Sequence, residues 1–176
     1  IARRERFLTD YQDAAYARRY RELVDRVRAT EQARAPGSTA LTEAVARYAF
    51  KLMAYKDEYE VARLYTSGPF LRRLQQQFEG GYTLRFHLAP PLLADRDEQG
   101  RLVKREYGPW MLTAFRWLAK LKFLRGTAFD PFGRTAERRA ERQLIDDYFA
   151  TVGRLLARLD AGNLDLAVEI ARIPEQ

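Results

Sequence analysis

The chain has 176 residues, contains no cysteine and carries a formal charge of +7 at pH 7. Without cysteine it can hold no disulfide, thiolate metal site, cysteine-held iron–sulfur cluster or cysteine nucleophile. No apolar run approaches the roughly 20 residues that cross a bilayer, so we expect no membrane contact and a cytoplasmic location. The length suffices for one sizeable core, and we expect a single domain over residues 1–176.

The first residues of the chain favour a helix. They begin with Ile1 rather than Met and lack the apolar stretch of a signal peptide. We therefore expect the chain to be a fragment of a larger multidomain protein.

Apolar residues recur at spacings of three and four through most of the chain, which predicts helices. The first helix is expected over Arg4–Gln32, because the following Pro36 and Gly37 disfavour its continuation. Ser38 or Thr39 can cap the next helix by accepting a backbone N–H bond.

The second helix is predicted over Ala40–Tyr65, and a shorter amphipathic helix over Phe70–Phe78. A third long helix opens at Gly108-Pro109, since proline suits the first helical position. Thr135 can cap a helix that reaches Asp160, and Asn163 can cap a final short one. The expected fold is mainly α, with five or six helices.

A different periodicity separates these helices. Tyr82–Leu88 alternates apolar and polar residues, and Arg101–Tyr107 does so more weakly. We expect a small β-hairpin or extended arm near residues 82–107. Between the two runs, Pro90 and Pro91 favour extended backbone, and Gly100 is the expected tip of a polar turn.

His87 is the only histidine of the chain. A catalytic triad or a multi-histidine metal site would need further groups that the sequence does not supply. We expect the His87 ring to be packed and hydrogen-bonded rather than to act as an acid–base catalyst.

Three carboxylates, Asp57, Glu58 and Glu60, form an acidic patch on the second predicted helix. Glu60 and Arg63 have helical contact spacing, so ion pairs are the favoured interpretation. A small stand-alone enzyme that uses Asp57 or Glu58 is a weaker alternative.

No glycine-rich phosphate loop and no dinucleotide-binding glycine pattern occurs in the sequence. A Gly-Asp-Gly segment followed by Asn, which holds the magnesium of thiamine diphosphate enzymes, is also missing. We expect no catalytic, cofactor-binding or metal-ligating residue in this chain.

Positive charge is concentrated between Arg101 and Arg142, where 11 Lys and Arg residues face 4 Asp and Glu residues. Such a surplus can attract nucleic acid, phosphate groups or an acidic protein, or it can be a set of solvated side chains. The candidate docking residues are Lys120, Lys122 and Arg125, in the last turns of the third long helix.

Four strings of residues resemble the C-terminal region of long-chain indolepyruvate ferredoxin oxidoreductases, in the same order. They are YAFKLMAYKDEYEVARLY over 48–65, FHLAPPLL over 86–93, KREYGPWM over 104–111 and LRGTAFDPFG over 124–133. The following helix, with TAERRAERQL over 135–144, is similar too. The resemblance therefore covers most of the chain.

Such enzymes use thiamine diphosphate with magnesium to decarboxylate aryl 2-oxo acids, pass electrons through iron–sulfur clusters to ferredoxin, and deliver the acyl group to coenzyme A. The resemblance implies that these cofactors are held elsewhere in the parent chain. It implies an accessory, domain-orienting role here, with the other parent domains and ferredoxin as partners. The alternative is a basic binding module for an acidic protein or nucleic acid, although ordered family strings in apolar faces make nucleic acid the less expected partner.

The isolated chain is expected to bind neither thiamine diphosphate nor an iron–sulfur cluster, because the sequence lacks their ligands. Calorimetric titration with thiamine diphosphate and Mg²⁺ checks the first point. Micromolar binding to the isolated chain would contradict this prediction.

Overall fold

The computed structural model of the chain describes residues 1–89, 99 and 103–175. In these residues it is mainly helical, as predicted, with one pair of short antiparallel strands. The elements in chain order are α1 (Ala2–Tyr11), α2 (Ala14–Arg34), α3 (Ala40–Met53), α4 (Glu58–Thr66), α5 (Gly68–Gln77), β1 (Phe86–Leu88), β2 (Arg105–Tyr107), α6 (Trp110–Lys120), α7 (Ala136–Arg158) and α8 (Leu164–Ala171). Short 3₁₀ helices cover Leu121–Leu124 and Ile173–Glu175.

The chain divides into two compact units. Unit 1 consists of Ile1–Tyr55 together with Arg134–Gln176, and unit 2 is Lys56–Gly133. That residues 1–176 fold as one domain stays a prediction.

Eight α-helices lie in the described part of the chain, so the predicted count of five or six is wrong. The helix expected over Arg4–Gln32 is two helices, α1 and α2, and the helix expected over Ala40–Tyr65 is also two, α3 and α4. In both places the apolar period continues across the break, which is why the pattern suggested one helix.

An aspartate opens the second helix at each of these breaks. The side chain of Asp13 accepts a hydrogen bond from Tyr16 N–H at 2.7 Å, and that of Asp57 accepts one from Glu60 N–H at 2.8 Å. Aspartate competes with the preceding helical turn for backbone donors and is a preferred N-cap. These two residues were the local signal for the breaks.

Helix α7 begins as predicted. The hydroxyl of Thr135 accepts from Arg138 N–H at 3.2 Å. Asn163 precedes α8, but its side chain makes no cap bond there. It instead closes the end of α7, donating to the carbonyl oxygen of Arg158 at 2.7 Å.

Unit 1 has a core in which tyrosine hydroxyls reach backbone carbonyls. Tyr11 donates to the carbonyl of Tyr55, and Tyr20 donates to that of Ala46, each at 3.0 Å. Such bonds give the hydroxyl group of a buried tyrosine ring the hydrogen-bond partner that it would otherwise find in water. The fully buried apolar side chains around them include Leu8, Leu23, Val24, Val27, Leu41, Val45, Met53 and Val152.

The carboxylate of Glu31, on α2, lies at the N-terminus of α3 and is 1% exposed. It accepts the backbone N–H groups of Leu41 and Thr42 at 2.9 and 2.8 Å, and the hydroxyls of Thr42 and Ser38 at 2.6 and 2.9 Å. Ser38 and Thr39 were the predicted caps: the hydroxyl of Ser38 accepts from Ala40 N–H at 3.2 Å, but the N-cap position is Thr39, whose side chain makes no cap bond. The charged group at this helix N-terminus, however, is the carboxylate of Glu31, ten positions before Leu41.

Burial alone would raise the pKa of Glu31, but its four hydrogen bonds together hold that pKa below the ordinary value of 4.5. The folded state therefore binds the proton less readily than the unfolded state. The contribution of Glu31 to stability is fully present above about pH 4.5 and is lost as the pH falls through the lowered pKa.

Replacement of Glu31 by Ala is expected to lower the free energy of unfolding by about 2–4 kcal/mol, because four donors lose a charged acceptor in the interior. Urea titration followed by far-ultraviolet circular dichroism at pH 7 measures the effect. The matched control is Glu43→Ala, which removes an exposed carboxylate from the first turn of α3 and should cost less than about 1 kcal/mol. Equal denaturation midpoints for the two variants would contradict the role of Glu31.

Unit 2 is built around α4 and α6. Tyr65 stacks on Phe115 with ring centroids 5.4 Å apart, and Phe86 meets both rings edge-on at 5.4 and 5.5 Å. Strands β1 and β2 pair antiparallel, with Phe86 opposite Tyr107 and His87 opposite Glu106. The small hairpin or arm predicted near residues 82–107 thus contains two strands of three residues each.

Two predictions fall on residues that are not described. The extended segment expected at Pro90 and Pro91 and the loop tip expected at Gly100 lie outside the described residues. No helix in the described ranges is both long and apolar enough to cross a membrane.

Candidate functional site

The three candidate docking residues lie in different surroundings. Lys120, at the end of α6, is exposed, and its Nζ lies 4.8 Å from the ring centroid of Trp117. Lys122, in the following 3₁₀ helix, is half-buried. Arg125 is buried, so its guanidinium does not belong to an exposed docking surface.

Arg125 forms a buried ion pair with Asp57. Its Nε donates to Oδ2 of Asp57 at 2.5 Å, and a second guanidinium nitrogen donates to Oδ1 at 2.9 Å. The guanidinium also lies 5.5 Å from the ring centroid of Tyr59. This two-point geometry suits a planar guanidinium, and burial makes removal of either partner costly.

Asp130 extends this cluster into the loop that follows. Its carboxylate accepts the Tyr59 hydroxyl at 3.2 Å and the backbone N–H groups of Gly126 and Phe132 at 2.8 and 3.1 Å. Gly126 has a φ of 75°, a left-handed conformation that favours glycine. The buried cluster of Asp57, Tyr59, Arg125 and Asp130 therefore holds the 126–133 loop in place.

Burial raises the pKa of Tyr59, and the negative charge and hydrogen bond of Asp130 raise it further. The Tyr59 hydroxyl thus stays protonated at neutral pH and serves as a donor. The Tyr59 hydroxyl therefore acts in the buried cluster as a hydrogen-bond donor to Asp130.

The acidic patch predicted over Asp57, Glu58 and Glu60 does not converge on one point. Asp57 turns toward Arg125, whereas Glu60 accepts two bonds from Arg63, at 2.7 and 2.8 Å. The predicted Glu60–Arg63 pair is confirmed. The carboxylates of Asp57 and Glu60 therefore contact different cations and do not converge.

His87 lies at the surface, with its side chain 67% exposed. Its Nε2 is 3.8 Å from Oε2 of Glu106 on the paired strand, and Arg85 contacts the other oxygen of that carboxylate. The prediction of a packed ring is wrong, because period-two alternation places His87 on the solvent side of β1, opposite the buried Phe86.

A cleft of about 490 Å³ opens in unit 1 beside the first turn of α3. Three arginines line it: Arg4, Arg47 and Arg172. Guanidinium groups favour small anions such as phosphates or carboxylates. Part of this charge is already balanced, since Glu43 lines the same cleft and Glu175 lies 3.9 Å from Arg172. Sequence reasoning missed this cleft because its arginines are far apart in the chain.

Helix α6 carries exposed aromatic side chains that sequence reasoning did not separate from its buried ones. Met111 and Phe115 are buried, whereas Trp110 and Trp117 are 59% and 65% exposed. The apolar residues of α6 outnumber those that one face can hold, and this excess was the available signal.

The magnesium and iron–sulfur clusters implied by the resemblance would each need a group of ligating side chains. In the described ranges, no group of three or more His, Cys, Asp or Glu side chains is placed to hold a metal ion. That the parent holds these groups elsewhere stays a prediction.

A family model described as "Family of unknown function (DUF6537)" matches residues 1–176. The chain belongs to the DUF6537 family. Comparisons with curated proteins and with solved structures give no match.

In this DUF6537 chain, Asp57→Ser keeps an oxygen that can cap α4 but removes the carboxylate that Arg125 contacts. Asp57→Ser and Arg125→Met are each expected to cost about 3–5 kcal/mol of unfolding free energy, because one buried charge loses its counter-charge. The double variant should cost at least about 1 kcal/mol less than the sum of the two. Guanidinium chloride titrations of the four proteins measure this coupling.

The matched control is Asp25→Ser, which breaks an exposed ion pair with Arg21 and should cost less than about 1 kcal/mol. Strictly additive effects of the substitutions at Asp57 and Arg125 would refute the coupling.

Proposed function

We propose that this DUF6537 chain is an accessory, non-catalytic helical domain of a cytoplasmic, thiamine diphosphate-dependent indolepyruvate:ferredoxin oxidoreductase. The parent is the enzyme, and its thiamine diphosphate, magnesium and iron–sulfur clusters are held in other regions. Coenzyme A is the acyl acceptor of the parent. The chain orients the catalytic domains, which are its principal partners.

The observation that supports this proposal is where the four resembling strings lie in the fold. The first provides Asp57 and Tyr59, and the fourth provides Arg125 and Asp130, which together form the buried cluster of unit 2. The second and third provide β1 and β2, which pair with each other. These parts of the four strings therefore stabilise unit 2, whereas residues 48–55 of the first string lie in unit 1.

This placement favours an accessory role over a catalytic one. Three carboxylates of the resembling strings, those of Asp57, Glu60 and Asp130, are engaged with Arg125, Arg63 and backbone donors. Residues that make contacts inside the domain stabilise its fold, so the contribution of such a domain to its parent is its shape and its outer surface.

Lys120 and Lys122 are proposed to attract acidic ferredoxin or the phosphates of coenzyme A. Attraction between exposed charges mainly raises the association rate and weakens with added salt. Arg125 is excluded from this role by its burial against Asp57.

The test uses the full-length polypeptide that carries the chain. Indolepyruvate- and coenzyme A-dependent reduction of ferredoxin is expected from that polypeptide and not from residues 1–176 alone. His87→Ala, at an exposed position, should leave kcat within about twofold. A full-length protein that turns over no aryl 2-oxo acid would refute the oxidoreductase assignment.

Two further outcomes address the role of the chain itself. A loss of kcat of about 100-fold or more in a folded His87→Ala protein would place chemistry in this chain. Tight binding of residues 1–176 to mixed-sequence DNA or RNA at physiological salt would favour the basic binding module instead.

A further inference from the structure

Helix α6 has a second apolar face. Trp110 and Trp117 are seven residues apart and lie on the side away from the buried Met111 and Phe115, and the exposed Leu121, the first residue of the following 3₁₀ helix, continues this stripe. We name these three residues the outer stripe. Both tryptophans of the chain belong to it.

The outer stripe exposes a sizeable aromatic surface. With a whole tryptophan taken as about 250 Å², the two indoles expose about 300 Å². Patches of this size on a soluble domain often mark interaction sites, and tryptophan is enriched among residues that dominate binding energy. A stable interface needs about 800 Å² on each partner, so the outer stripe would form its centre.

The surroundings of the outer stripe are cationic. No Asp or Glu occurs from Trp110 to Leu124. Arg116 and Lys120 lie along one side of the stripe and are exposed. Within the part of the chain that the structure describes, no ion pair joins either residue to a carboxylate. The margin therefore keeps its positive charge.

We propose that the outer stripe is a docking site for a protein surface in which apolar side chains are bordered by Asp and Glu. The indoles enter the apolar centre, and Arg116 and Lys120 pair with the acidic border. Apolar contact supplies most of the affinity, while the charges select the partner and speed association. This inference does not depend on the oxidoreductase assignment.

Other occupants fit the charges and geometry less well. A second copy of the chain, docked with two-fold symmetry through the same stripe, would offer no Asp or Glu between Trp110 and Leu124 to pair with Arg116 and Lys120. Single-stranded nucleic acid stacks its bases on open aromatic faces in a charged groove. Here the ammonium of Lys120 covers one face of Trp117.

The test places a photo-cross-linking benzoylphenylalanine at Thr113, an exposed position on α6, in the full-length protein in its own cells. After irradiation, mass spectrometry identifies the cross-linked peptide. The same probe at Ala29, an exposed position on α2, controls for non-specific contacts.

The supporting result is a cross-linked peptide that contains apolar residues and a net excess of Asp and Glu. Its yield should fall at least about fivefold with Trp117→Ala and with the double reversal Arg116→Glu/Lys120→Glu. Arg18→Glu/Arg26→Glu, which changes the net charge equally on exposed positions of α2, should leave the yield unchanged. Circular dichroism establishes that each variant is folded.

Capture of a peptide without these features would overturn the proposal. Cross-links to a second copy of this chain, to nucleic acid or to a neutral or basic peptide would overturn it. A yield insensitive to Trp117→Ala, or no cross-link beyond that of the Ala29 probe, would do so as well.

Discussion

The buried carboxylate of Glu31 is the contact on which the architecture of unit 1 depends. It brings α2 to the first turn of α3 and satisfies donors that would otherwise be orphaned in the interior. A helix N-terminus carries partial positive charge, so a desolvated carboxylate is stabilised there. With the entry of α3 held by Glu31, the hydroxyl of Tyr20 reaches the carbonyl of Ala46 in the middle of the same helix.

Unit 2 uses the same chemistry at Asp57, with an added cation. Asp57 caps α4 and pairs with Arg125, which carries the start of the 126–133 loop toward α4. Asp130 then satisfies the backbone of that loop and holds the Tyr59 hydroxyl. Asp57 and Asp130 therefore stabilise the backbone of unit 2 through hydrogen bonds, although acidic side chains are also candidates for catalysis when the sequence alone is considered.

Ion pairs of this kind also reduce the positive charge that the segment between Arg101 and Arg142 presents to solvent. Part of its positive charge is internal, because Arg125 pairs with Asp57 and Arg138 contacts Glu141. What faces solvent on α6 is a stripe of indoles with a cationic margin, not a uniform basic surface. Such a surface favours a partner that offers both apolar contact and negative charge.

Periodicity and capping chemistry in the sequence determined the helical class, the start of α7 at Thr135 and the extended segments that pair as β1 and β2. The same local rules predicted one continuous helix across each of the breaks at Asp13 and Asp57. A period of 3.6 shows which face of a helix is buried, but it does not show whether the backbone is continuous. The aspartate at each break is the N-cap of the next helix, and it was the local feature that indicated the break.

Only the tertiary structure determined which side chains far apart in the sequence contact each other. Nothing local distinguishes Arg125 from Lys120, yet one is buried against a carboxylate 68 positions away and the other is exposed. The exposed position of His87 follows from the face of β1 that packs on Phe115. Which of two apolar faces of α6 meets the core depends on the neighbours it contacts, and those are brought together by folding and not by adjacency in the chain.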